Sequence, residues 1–292
     1  MIATPAKVNL TGKNILITGG SLGIGYAATE ACLAAGARVA ICARGREDLD
    51  RAVIALSGIA GPDRVIARVA DVTRDDDVAA TMDEMIERWG SLDGVIHSAG
   101  IYGPIGLVTD VDPGEWMDVI RINLFGAFVV VREACKRMMA AGGGRIALFA
   151  GGGAAAPFPN YTGYACSKAA LVRLTETAAV EMEPYGIALN CIAPGFVVTR
   201  LHEQTIAQID RVPGAFFEKT KAEMERGGVA ASVGGEAAAF LVSGAAEGIT
   251  GKFLAAPYDA YRAWPERVED LRGSDLFTLR RIVPRDRGGD WQ

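Results

Sequence analysis

The 292 residues are half apolar and 22% charged, suited to one large α/β domain; a formal charge of −5 without a basic-aromatic stretch argues against nucleic acid as a partner. Five scattered cysteines and two histidines, with no C-x-x-C pair, argue against a metal centre or a disulfide framework and fit a reducing cytoplasm. No apolar run reaches the about 18 residues of a membrane span, and the first ten residues lack a signal-peptide pattern, so a soluble cytoplasmic protein is expected.

Apolar, β-rich runs alternate with longer helical patterns. Residues 14–18 (NILIT) read as a first strand, followed by a glycine turn and a helix over 24–35 that Gly36 ends. Strands follow at 38–42, 64–69 and 93–97, the last after a helix over 78–89. Asp112, Pro113 and Glu115 supply the N-cap, N1 proline and N3 acid of a helix running to about residue 141, where three glycines stop it. A strand at 145–149, a helix at 164–183 and strands at 187–192 and 251–256 complete the pattern. The expectation is a Rossmann-type, doubly wound, seven-stranded and mostly parallel sheet with helices on both faces, binding ligands at the carboxyl ends of its strands. One domain covers residues 1–260. Its polar segment 199–231 is a natural substrate lid, and 261–292 form an extension that covers the substrate mouth, meets a partner subunit, or simply packs.

The turn after the first strand carries Gly19, Gly23 and Gly25 in G-x-x-x-G-x-G spacing, with Ser21, Leu22 and Ile24 between them. Such a turn lets a pyrophosphate approach the backbone and meet the free N–H groups of a helix N-terminus. Arg44 ends the second strand, where an acid would hold the ribose 2′-hydroxyl of NAD; an arginine suits a 2′-phosphate, so NADP is preferred and NAD remains an alternative. Tyr164 and Lys168 stand four apart on one helix face. A phenol of pKa about 10 needs such a neighbouring cation to trade protons near neutrality.

TGGSLGIG, the Asp71-Val72 pair, Ser98-Ala99-Gly100, Asn123 in INLFG, YACSK and PGFVVT from Pro194 to Thr199 occur together in the order and spacing of one family. In these six motifs, spanning residues 10 to 260, the chain resembles the short-chain dehydrogenase/reductase superfamily. The resemblance implies that Tyr164 exchanges a proton with a carbonyl or alcohol oxygen, that Lys168 binds the nicotinamide ribose and lowers the tyrosine pKa, and that Asn123 holds a water of the relay. By the same resemblance Asp71 and Val72 meet the adenine, and Ser98, Ala99 and Gly100 line the adenosine ribose and the approach to the cofactor. Pro194, Gly195, Val197 and Thr199 would embrace the nicotinamide and its phosphates.

Two departures stand out. The position of the family's catalytic serine, counted from either Asn123 or Tyr164, is Gly151. Another donor is then needed, and Asn160, Tyr161, Thr162 or the backbone N–H groups of Gly151, Gly152 and Gly153 are candidates. His97 and Ser98 replace asparagines usual in the family; at the end of a central strand, His97 reads as a hydrogen-bonded structural residue rather than a base. The implied activity is interconversion of a secondary alcohol and a ketone on a small-molecule substrate, in a homodimer or homotetramer that pairs the helices 116–141 and 164–183. The alternatives are a cofactor-retaining epimerase or dehydratase, or a catalytically weak cofactor-binding protein.

Overall fold

A computed structural model describes residues 7–198 and 214–290. Its seven strands are β1 (Asn14–Thr18), β2 (Arg38–Ala43), β3 (Val65–Val69), β4 (Gly94–His97), β5 (Gly144–Phe149), β6 (Ile187–Ala193) and β7 (Phe253–Ala255). They lie in the order β3-β2-β1-β4-β5-β6-β7, and all six pairings are parallel. The sheet is therefore wholly rather than mostly parallel. A parallel sheet needs cover on both faces, which is why β1 and β4 are buried along their whole length, with polar side chains only at strand ends.

Helices α1 (Gly23–Ala34) and α2 (Arg46–Ala60) cover one face, and α3 (Asp75–Trp89) covers the other. The strand order reverses between β1 and β4, leaving a crevice beyond their carboxyl ends where ligands of such sheets bind. The long helix expected up to residue 141 is three pieces: α4 (Pro113–Ile120), a π turn at Arg121–Phe125 and α5 (Gly126–Ala141). Its start follows the sequence reading, since the Asp112 carboxylate accepts the Glu115 N–H at 2.9 Å. The widening falls on Asn123, whose amide is held by the loop after β4, and single π turns of this kind accompany functional sites.

Helix α6 (Thr162–Met182) follows β5, and α7 (Gly214–Glu225) and α8 (Ala231–Leu241) lie between β6 and β7. Residues 199–213 of the expected lid, Thr199 among them, lie outside the described residues. Part of the extension runs along the outer edge of β7: the Phe253 N–H donates to the Phe277 carbonyl at 2.7 Å, and the Trp264 and Phe277 rings pack at 4.6 Å. The described part of the extension thus packs on the sheet's own last strand. A cleft of about 800 Å³ between α6 and this segment is lined by arginines already matched by carboxylates, Arg173 with Glu176 and Arg145 with Glu247 among them. It sits at the amino ends of β5 and β6, away from the crevice.

Candidate active site

The glycine turn is drawn tightly against the end of β4. Gly19 has φ of +66°, its N–H donates to the Cys42 carbonyl at 2.7 Å, and a Cβ on it would stand 2.9 Å from the Ala99 nitrogen. A Cβ on Gly25 would overlap the Gly19 carbonyl oxygen. Helix α1 then begins at Gly23 with no side-chain cap from Leu22 and no acid in its first turn. Its first N–H groups lack helical partners, which suits an incoming phosphate. Ser21 is buried in the turn, Leu22 is 43% exposed at its lip, and Ile24 packs inward on the core.

At the end of β2, Arg44 is exposed. Past β3, the Asp71 carboxylate accepts both the N–H (2.9 Å) and the hydroxyl (2.8 Å) of Thr73. Burial pushes the Asp71 carboxyl upward, but the Thr73 hydrogen bonds and the guanidinium charges of Arg44 and Arg121 together hold it below its ordinary range. Arg44 therefore acts electrostatically on the patch where the resemblance puts the adenine. Val72 is buried against Gly126 at the start of α5.

At the end of β4, the buried His97 Nδ1 lies 2.9 Å from the Thr18 hydroxyl, and the Ser98 N–H donates to the Thr18 carbonyl at 3.1 Å. Burial, with the nearby Lys168 charge, pushes the His97 pKa down to about 3. A ring that weakly basic is no proton acceptor, and His97 ties β4 to the glycine turn. Ala99 lies against Gly19, and Gly100 faces the Asn123 amide and the Lys168 ammonium.

Asn123 is a clamp. Its Oδ1 accepts the Ile101 N–H at 2.8 Å, and its Nδ2 donates to the Ile101 carbonyl at 2.9 Å and to the Ser167 hydroxyl at 3.0 Å. Ser167 in turn donates to the Tyr164 carbonyl at 2.7 Å. These side-chain bonds join the loop after β4 to α6. Lys168, itself buried, donates to the Phe149 carbonyl at 2.7 Å, and its ammonium stands 5.6 Å from the Tyr164 ring centroid. Burial brings its pKa down to about 8.

The Tyr164 hydroxyl, 3.5 Å from the Ala150 carbonyl, differs from the electrostatic expectation: burial pushes its pKa above the usual phenol value rather than below it. The cause is the burial of Tyr164 itself, which the Lys168 ammonium, held on the Phe149 carbonyl, does not offset.

Gly151 occupies the critical spot. A Cβ there would stand 2.9 Å from the Tyr164 hydroxyl, and its φ of +147° is one that L side chains rarely adopt. Of the candidate substitutes, the Thr162 hydroxyl accepts the Trp116 indole N–H at 3.2 Å, and Asn160 and Tyr161 are buried. Sequence reasoning missed Tyr102, whose ring meets that of Tyr164 edge-on at 4.8 Å and 87°. Its place two residues after Gly100, at the mouth of the crevice, was the available signal. Beyond β6, Pro194 is followed by Gly195 at φ of +84°, the Phe196 carbonyl accepts the Val229 N–H at 2.7 Å, and Val197 is buried.

A family model described as short chain dehydrogenase matches residues 13–210. The chain belongs to the short-chain dehydrogenase family. Levodione reductase of Leifsonia aquatica is 34% identical over 211 residues, which are 72% of this chain and 79% of that protein. A crystal structure of levodione reductase aligns with a TM-score of 0.78 at 30% identity, covering 85% of this chain and 96% of that chain. An NAD+-bound xylitol dehydrogenase (TM-score 0.78, 27% identity, 84% and 98% covered) and an actinorhodin polyketide ketoreductase with NADPH (0.75, 28%, 83% and 95%) share the fold. Short-chain dehydrogenases of this kind are oxidoreductases that use NAD or NADP. Among the described residues of this one, no helix is long and apolar enough to cross a membrane, and no His, Cys, Asp or Glu group is placed to hold a metal ion.

Proposed function

We propose that the protein interconverts a secondary alcohol and a ketone with NADP(H), Tyr164 passing the proton to or from the substrate oxygen. The observation that carries this reading is the assembly of Tyr164, Lys168 and the Asn123 clamp beside an uncapped, glycine-lined helix N-terminus. The residues fit a dinucleotide: the turn is too tight for side chains and leaves its first N–H groups for phosphate, with Arg44 placed for a 2′-phosphate. A bound nicotinamide supplies or accepts the hydride at the carbinol carbon. In reduction the carbonyl carbon gains that hydride, the oxygen gains the Tyr164 proton, and solvent returns a proton to Tyr164. Lys168, freed from the Phe149 carbonyl, would hold the ribose and stabilise the phenolate. The solved relatives bind either dinucleotide, so Arg44 and its field at Asp71 support NADP here.

The same reading gives one catalytic domain with a lid over residues 199–231, working in the cytoplasm on a small molecule. Phe125 and Phe128, each 45% exposed on the π turn and α5, support a homodimer or homotetramer built on the long helices. The test is NADPH oxidation across a panel of ketones with a Tyr164→Phe control. Turnover is expected to fall by at least about a hundredfold, with NADPH binding, read by its fluorescence, unchanged; equal activity of the variant would remove Tyr164 from the mechanism.

A further inference from the structure

The surroundings of Tyr164 bear on what reaches it. Tyr102 is 7% exposed, Tyr161 lies 5.3 Å from it, and Phe158 lies 4.8 Å from Tyr161 and 6.0 Å from Tyr164, all as ring centroids. With Ile105 these rings form an apolar cluster separate from the two cores flanking the sheet. Two ties fix its walls before any ligand arrives. The Asn123 clamp sets the Ile101 peptide just before Tyr102, and the Gly106 N–H donates to the Asn160 carbonyl at 3.0 Å, joining the 101–106 segment to the 158–161 segment. Leu107 and Val108, 56% and 72% exposed, carry the apolar surface outward from Ile105.

Beside Gly152 the site is open, whereas a Cβ on Gly151 would already stand 2.9 Å from the Tyr164 hydroxyl. Among the described residues, no atom lies within 4 Å of where a Cβ would stand on Gly152. Among the described residues, the Lys168 ammonium stands over the Tyr164 ring at 5.6 Å from its centroid, and the reaction itself employs it.

Resting on the reading of Tyr164 as the group that meets the substrate oxygen, we propose that the site takes an uncharged ketone or alcohol borne on an apolar ring system, with Tyr102 and Phe158 as specificity-determining walls. Flat aromatic faces bury ring C–H surface well and at low entropic cost. A polyol or sugar would bring several hydroxyls against rings that cannot match each of them, and every unmatched polar group opposes binding. An ionised oxo acid would be desolvated where Lys168 is already committed. The open space beside the exposed Gly152 accommodates the bulk of a ring substrate.

The experiment measures NADPH oxidation by the full chain with a decalone and a substituted cyclohexanone, an acyclic ketone of equal carbon number, a ketose, and an ionised 3-oxo acid. The ring ketones are expected to exceed the ketose and the oxo acid in kcat/KM by about a hundredfold, and the acyclic ketone by about tenfold. Phe158→Ala and Tyr102→Phe, checked for unchanged melting, separate wall from hydroxyl. Phe158→Ala is expected to raise KM for ring ketones about tenfold without changing NADPH affinity, and Tyr102→Phe to leave it within about threefold. A ketose or oxo acid turned over as well as the ring ketones overturns this inference while leaving the redox reading intact. NADPH binding without oxidation by any carbonyl overturns both.

Discussion

His97 is the residue whose burial has the clearest consequence in solution. It is 1% exposed, one ring nitrogen meets Thr18, and among the described residues the other has no partner. Its pKa falls from 6.5 to about 3, so between those values the unfolded chain binds a proton that the folded one refuses. Stability from this group is therefore complete above pH 6.5 and is lost as pH falls, at up to about 1.4 kcal/mol per pH unit. Urea midpoints are expected to drop from pH 6.5 to 4.5, where most carboxylates are still ionised, and His97→Asn is expected to flatten that slope. An unchanged slope in the variant would place its origin elsewhere, the other histidine, His202, included. Lys168 behaves in the mirrored range: with its pKa lowered from 10.5 to about 8, the cost of burying its charge is relieved as pH rises between them. The Lys168 charge disfavours protonation of His97, so the two do not carry charge together on the floor of the site.

Among the elements, β7 shows how the end of the chain serves the sheet. It is three residues long, with β6 on one side and the extension on the other. Besides the Phe253 hydrogen bond, the buried Lys252 ammonium donates to the Ser274 carbonyl (2.9 Å) and the Leu276 carbonyl (3.1 Å), and the Leu279 N–H donates to Glu176 of α6 at 2.6 Å. Ending the chain after Leu271 would strip the ammonium of both acceptors and bare a strand edge, the usual template for association. That truncation is expected to lower the melting temperature by several degrees and to produce larger species in light scattering, with kcat per folded molecule unchanged because the segment lies away from Tyr164. A truncated chain as stable and monodisperse as the full one would show that the edge needs no cover. None of this was legible beforehand: the tail's contacts join residues far apart in sequence, and no local pattern announces them. Two of the helices missed in the sequence, α2 and α8, have local reasons. The buried positions of α2, Leu49, Ala52 and Leu56, form a thin stripe in a charged run, and α8 carries Gly234 and Gly235 in its interior, where glycine disfavours a helix.

For the molecule as a whole, what could be read from sequence is what is compact in sequence. The strands, the glycine turn and the tyrosine–lysine pair are short runs with their own periodicity, and each lies where it was placed, to within a residue or two at most strand ends. The aromatic wall was hidden because Tyr102 and Phe158 follow different strands and are both brought to Tyr164 only when β4 and β5 pair. Spacing reports that a cation stands near the phenol, whereas the burial that raises the phenol pKa and the Phe149 carbonyl that holds the cation follow from the folded surroundings. An arrangement prepared this far, with uncapped N–H groups and a lysine parked on a carbonyl, should gain stability when the dinucleotide binds. At a hundredfold excess over Kd the gain is about 2.7 kcal/mol, which for a chain of this size raises Tm by about 5 °C. At equal concentrations NADPH is expected to produce this rise more fully than NADH, and Arg44→Asp to reverse the order by replacing a partner of the 2′-phosphate with a partner of the 2′-hydroxyl. Calorimetry of both proteins with both dinucleotides decides it: the same ranking in the variant as in the wild type would mean that Arg44 does not touch the phosphate.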